Sequence, residues 1–181
     1  MRVLSREEQA RFVSYLLEDM DTCKFGVLLA LFTGVRIGEL CALQWGKISL
    51  KEQTIRIDAT LQRLRDTSAV GSARTRIVIS TPKSDTSVRT IPVTDYTAEL
   101  CGKRAPHSSA AYVLTGTDSF MEPRALQYRM EKYTRKCGLE GVHFHTLRHT
   151  FATRAVEVGF EIKSLSEVLG HSPACGQAAS G

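Results

Sequence analysis

Three histidines and an arginine fall within seven residues, His143-Phe144-His145-Thr146-Leu147-Arg148-His149. If this segment opens a helix, His145, Arg148 and His149 stand at i, i+3 and i+4 and share one face, while Leu147 and Phe151 take the opposite, core-facing one. A helix start also offers unpaired backbone N–H groups and a dipole that favours an anion. A guanidinium beside an imidazole suits a phosphate, because the first is a permanent forked donor and the second moves a proton near neutral pH. The same histidines leave a second chemistry open, a metal-dependent nuclease using His143, His145 and His149. Against it, no nearby Asp, Glu or Cys completes a ligand set.

Three further segments carry isolated candidates. Thr33-Gly34-Val35-Arg36-Ile37-Gly38-Glu39-Leu40 sets Arg36 directly after a turn at a helix start. Thr81 to Pro92 sets Lys83 at the tip of an expected β-hairpin, and Leu169-Gly170-His171 sets a histidine just past a glycine helix stop. Taken singly, Arg36 reads as a surface cation or a partner of Glu39, Lys83 as a solvated loop lysine and His171 as a C-cap.

The elements that must position these residues are legible as a mixed pattern. Ser5 and Glu8 form a capping box for an amphipathic helix through about Asp19. Cys23 to Phe32 is apolar on nearly every side, which predicts a helix buried on most of its circumference and broken at Thr33-Gly34. Ile37, Leu40 and Leu43 predict a short third helix ending before Gly46. From Lys47 the residues become β-branched, predicting three or four short antiparallel strands at Ile48 to Leu50, Ile55 to Ile57, Ile77 to Ile79 and Thr90 to Val93. Arg65 to Arg76 reads as an exposed loop or extended hairpin tip. Helices are then expected from Asp95 through Cys101, from Pro123 to near Cys137-Gly138, from about Thr146 to Gly159, and from Ile162 to Leu169 with a stop at Gly170. The fold class is α+β, mostly helical with a small antiparallel sheet.

Composition bounds the function classes. With 181 residues and 43% of them hydrophobic, the chain suits one folded domain with a real core. Its longest apolar run, Phe25 to Phe32, is far shorter than the ~20 residues a membrane-spanning helix needs. Its start lacks the pattern of a secretory signal, so a cytoplasmic location and no membrane partner are expected. Five widely spaced cysteines without a C-x-x-C pair read as reduced, partly buried thiols. The net charge of +5 is a weak pointer to a polyanion, but it is uneven. Leu61 to Arg89 carries net +4, and Glu122 to Lys136 holds five basic residues against two acids, stretches suited to neutralising phosphates.

The order of the four segments is more specific than any one of them. An Arg in T-G-x-R-x-x-E-L, a Lys on a hairpin, H-x-L-R-H and L-G-H, in that order from Thr33 to His171, resemble the catalytic domain of the tyrosine recombinases, the phage-integrase family of site-specific DNA strand-exchange enzymes. The resemblance implies a DNA breaking-rejoining fold over residues 1–171 and double-stranded DNA as partner, together with other recombinase subunits. It implies that Arg36 and Arg148 clamp the scissile phosphate. Lys83 then protonates the departing 5′ hydroxyl, His145 handles a proton near the nucleophile, and His171 hydrogen-bonds the phosphate or buttresses the site. Glu39 would orient Arg36, and His149 would be structural. The implied chemistry is DNA recombination and integration, metal-free and without a cofactor, through a phosphotyrosyl intermediate.

The pattern departs from the family in two places. A nucleophilic Tyr is expected roughly nine or ten positions beyond His171, the reach of one more short helix at about 1.5 Å per residue. Residues 172–181 contain none, and they read as an atypical, truncated tail. The five tyrosines, Tyr15, Tyr96, Tyr112, Tyr128 and Tyr133, all precede H-x-L-R-H. The helical core-binding domain that family members carry ahead of this one is also not seen, so weak and unselective DNA binding is expected. The alternative is a non-catalytic DNA-binding remnant of an integrase.

Overall fold

Ser5 starts the first helix as its capping box predicts. Its hydroxyl accepts from the Glu8 N–H at 3.1 Å, and the Glu8 carboxylate accepts from the Ser5 N–H at 2.8 Å. The computed structural model describes residues 1–65, 75–80, 88–106 and 108–170, so Lys83 and His171 lie outside the described residues.

Helix α1 (Arg6–Leu17) ends two residues earlier than its apolar spacing suggests and buries Phe12 and Leu16. Asp21 caps α2 (Thr22–Thr33) by accepting from the Lys24 N–H at 2.7 Å. This helix is the centre of the core. Phe25, Val27, Leu28, Leu29, Ala30 and Leu31 are all buried, covering both the face toward α1 and the face toward the second half of the chain. Burying each of the larger of these side chains contributes about 1.5–3 kcal/mol. Gly34, in the left-handed conformation, ends α2, and α3 (Ile37–Ala42) follows with Arg36 at its N-cap.

The strands number five among the described residues, in two sheets. Strands β1 (Ile48–Ser49) and β2 (Thr54–Ile57) form an antiparallel pair, and β3 (Thr60–Arg65) pairs with β4 (Thr75–Ser80) from Thr60↔Ser80 to Arg65↔Thr75. Strand β5 (Arg89–Pro92) returns to β2, giving the order β1-β2-β5. The strand that sequence pattern does not predict is β3. Its residues, Thr-Leu-Gln-Arg-Leu-Arg, carry one apolar position at every third place, a helix-like spacing, and they hold a strand only because β4 pairs with them. The polar stretch beyond it does begin as a hairpin arm, at Arg65↔Thr75.

The second half is helical. Thr94, one residue before the expected Asp95, caps α4 (Asp95–Gly102) by accepting from the Thr97 N–H. Pro123 opens α5 (Pro123–Lys136), which buries Leu126, Met130 and Tyr133. Helix α6 (Phe144–Glu157) begins two residues before Thr146, with His143 at its N-cap. Helix α7 (Ile162–Leu169) stops at Gly170, as its sequence predicts. A small separate cluster of Ala155, Leu165 and Leu169, with Phe151 and Ala152 against it, holds α7 on α6. No described helix is long and apolar enough to cross a membrane.

Candidate active site

Arg36 is placed by its own backbone. At the N-cap of α3 its N–H donates to Glu39 Oε2 at 2.8 Å, and its Nη1 donates to Glu39 Oε1 at 2.9 Å, so one carboxylate holds both ends of the residue. Its Nη2 reaches the Gly170 carbonyl at 3.2 Å. The side chain remains 36% exposed and lines a cleft of about 530 Å³ together with His145, Arg63 and Arg124. Gly38 makes this cleft possible. A Cβ there would lie 2.7 Å from the Leu61 carbonyl oxygen and from Thr60 Oγ1, so only glycine lets β3 close directly onto α3 beside Arg36.

Arg148 and His145 are one helical turn apart yet differ in exposure. His145 is exposed at the cleft, whereas Arg148 is buried, donating Nη1 to the Gly34 carbonyl at 2.8 Å and Nη2 to the Leu169 carbonyl at 2.6 Å. The expected shared face is therefore split. The ends of α2 and α7 close over Arg148, while among the described residues His145 stays exposed. Burial, then the neighbouring Arg36, lowers the Arg148 guanidinium to about 10, which leaves it a cation at neutral pH. His149 is half-buried, its ring centroid 6.3 Å from that of His145. Burial first, then His145 and Arg148, lowers its pKa, so it is mainly neutral near pH 7. Leu147 is fully buried, as its side of the helix predicts, and Phe151 packs over Gly34. Among the described residues no group of three or more His, Cys, Asp or Glu side chains is arranged to hold a metal ion.

Two of the four motifs meet here, half-buried Arg36 from the first and exposed His145 with buried Arg148 from the third. Residues 2–174 match the phage integrase family. The chain belongs to the phage integrase family. Among relatives of this integrase-family chain, a tyrosine recombinase of Pseudothermotoga lettingae is 32% identical, covering 80% of the chain and 43% of the relative. Tyrosine recombinase XerA of Thermococcus kodakarensis is 29% identical, covering 94% of the chain and 54% of the relative. The chain thus spans about half the length of the curated relatives it matches. The Tn1549 transposon integrase, solved in complex with a circular intermediate DNA, superposes with a TM-score of 0.73 over 94% of this chain and 58% of that one, at 22% identity. A crystal structure of XerA recombinase gives 0.67 over 95% of this chain and 57% of that one, at 21% identity. Both likenesses establish the integrase catalytic-domain fold.

One charged residue of this integrase-family cluster stands out in the sequence only as part of a basic stretch. Arg89 is not on the surface. Its Nη1 and Nη2 fork onto Glu39 Oε1 and Oε2 at 2.9 and 2.8 Å, and its Nε donates to the Val168 carbonyl at 2.6 Å. Burial raises the Glu39 carboxyl, but the Arg89 fork and the Arg36 donors outweigh it and bring it to about 2. Glu39 is therefore a permanent anion with both oxygens occupied, an anchor rather than a base. A sequence signal for Arg89 did exist. It precedes Ile91 by two, which on a strand puts a charge in phase with a core residue.

Proposed function

We propose that residues 1–171 act as the catalytic domain of a tyrosine recombinase, cutting and rejoining double-stranded DNA without a metal and in company with other recombinase subunits. The observation that carries this reading is a cleft lined by both Arg36 and His145, with Arg148 buried against the Gly34 carbonyl two residues before Arg36. Among the described residues Arg36 and Arg148 each commit only part of their five N–H donors to protein acceptors, which leaves donors for the non-bridging oxygens of a backbone phosphate. Charge on those oxygens in the transition state is what such donors stabilise.

In this scheme a tyrosine hydroxyl attacks phosphorus and the bond to the 5′ oxygen breaks. His145 takes the phenolic proton, and the Lys83 ammonium gives one to the leaving oxygen. His171 hydrogen-bonds the phosphate or buttresses the site. The 3′-phosphotyrosyl ester keeps the bond energy, and attack by a 5′ hydroxyl reverses the step to rejoin DNA. Tyr15, Tyr96, Tyr112, Tyr128 and Tyr133 do not line the cleft, so the attacking tyrosine of this scheme is a different one.

The test supplies that tyrosine. The chain is mixed with nicked duplex DNA and an intact relative whose counterpart of Arg36 is replaced by alanine, and separately the tyrosine-bearing segment of that relative is fused after residue 171. Covalent protein–DNA adduct that survives chelator and disappears with Arg36→Ala is expected. Duplex binding with no adduct in either format identifies a DNA-binding remnant, and adduct-free cleavage abolished by chelator identifies a metal nuclease.

A further inference from the structure

We propose that Arg89 is the positioning residue of the phosphate clamp, fixing Arg36 through Glu39 and fixing the end of α7 through Val168 without itself touching DNA. The inference rests on the reading of Arg36 as a phosphate ligand.

Strand β5 alternates buried and exposed positions, with Arg89 and Ile91 facing in and Thr90 and Pro92 facing out. A charge at an inward strand position is costly unless it is fully paired. Arg89 meets that condition, with 6% of its side chain exposed and all three of its guanidinium nitrogens bonded. Unlike Arg148, whose Nε has no protein acceptor among the described residues, Arg89 has every guanidinium nitrogen committed. What it does reach is the two structures on which the clamp depends.

The first is Glu39. Its Oε1 accepts from Arg36 and Arg89, and its Oε2 accepts from the Arg36 N–H and Arg89. Because Arg89 balances the carboxylate, Arg36 is oriented by Glu39 without being neutralised by it. Without the Arg89 fork the carboxylate loses two of the four donors that hold it, so Glu39 and the Arg36 guanidinium it orients are free to turn. The second is the end of α7. Its final carbonyls in a row, Val168, Leu169 and Gly170, accept from Arg89, Arg148 and Arg36 at 2.6, 2.6 and 3.2 Å. Helix-end carbonyls lack intrahelical partners and carry the negative end of the dipole, so three guanidiniums satisfy them and are held in a fixed order by them.

Gly170 shows how closely the two parts fit. Its φ is +64°, and a Cβ on it would lie 3.1 Å from Arg89 Cδ and Nη1. The Arg89 side chain lies directly beneath the residue whose carbonyl Arg36 uses. Lysine replaces it only in part, since a single ammonium on a flexible stem keeps the charge but cannot span two carboxylate oxygens and a carbonyl with fixed geometry.

The test uses the full chain, 15N-labelled, as wild type, Arg89→Met, Arg89→Lys and the double variant Glu39→Gln/Arg89→Met. The double variant removes both charges of the buried pair and serves if Arg89→Met alone does not fold. Each folded protein is read for the solvent exchange of its Arg36 guanidinium N–H signals, and for their shift on adding a short DNA duplex. Expected are exchange about ten-fold faster or more in the methionine variants, partial recovery in Arg89→Lys, and loss of the duplex-induced shift. Arg36 exchange within about two-fold of wild type in a folded methionine variant overturns the proposal. If duplex DNA fails to move Arg36 in the wild type, the phosphate reading falls, while the exchange rates still judge Arg89.

Discussion

Arg148 Nη2 donates to the Leu169 carbonyl at 2.6 Å, while the Nη1 of the same guanidinium donates to Gly34 at 2.8 Å. One side chain on α6 thereby joins the last residues of α2 and α7, the two helix ends between which Arg36 lies. The residue read as a phosphate ligand is also a structural tie.

Arg148→Ala is therefore expected to lose stability as well as activity. It strands two buried carbonyls and removes a packed side chain, which costs about 2–4 kcal/mol. Arg148→Lys, able to serve one carbonyl at a time, is expected to recover about half. Urea unfolding measures both, and a loss below about 0.5 kcal/mol in the alanine variant removes the structural role.

Glu39 gives the fold an acid-sensitive component. Its carboxyl lies at about 2 in the folded protein against an ordinary value of 4.5, so the unfolded chain binds its proton first. The stability it contributes is complete above about pH 5 and is lost as pH falls toward 2, and at 1.36 kcal/mol per unit it amounts to about 3 kcal/mol. Glu39→Gln is expected to be less stable at pH 7 and to show a shallower decline between pH 5 and 2. Melting temperatures of the two proteins across that range decide it; parallel curves contradict the assignment.

Helix α5 presents Arg124, Arg129, Lys132, Arg135 and Lys136 to solvent on one element. If the cleft it borders takes DNA, these charges displace counterions, and removing one that pairs with a phosphate flattens the plot of log affinity against log salt by about 0.9. Arg124→Ala and Lys132→Ala are expected to weaken binding alike on unrelated duplex sequences and to reduce that slope. Binding isotherms at several salt concentrations check this, and an unchanged slope in the double variant excludes α5 from the interface.

The thiols are predicted to be inert. Cys23, Cys41, Cys101 and Cys137 are buried, and burial pushes Cys41 up to about 12 and Cys101 up to about 11, so thiolate is scarce at neutral pH. In a Cys175→Ser background, a thiol reagent should label none of the four within minutes in the native protein and all of them in denaturant. Prompt native labelling would place at least one thiol nearer solvent than the fold allows.

Local patterns in the sequence determined a great deal. Capping at Ser5, the all-round apolar character of α2, the break at Gly34, Pro123 at the start of α5 and Gly170 at the end of α7 depend on neighbours within four residues, which is the range over which sequence pattern has physical force. The motif order likewise sufficed to recognise the family. What the tertiary structure decided are the relationships that span long separations. Strand β3 is a strand because β4 completes its hydrogen bonds. His145 is exposed and Arg148 buried because helix ends from both halves of the chain cover one and not the other. Arg89, fifty residues from Glu39, is an anchor rather than a surface charge because a buried carboxylate and a helix end converge on it. A buried ion pair depends on which distant groups desolvate one another, and only the folded chain sets that.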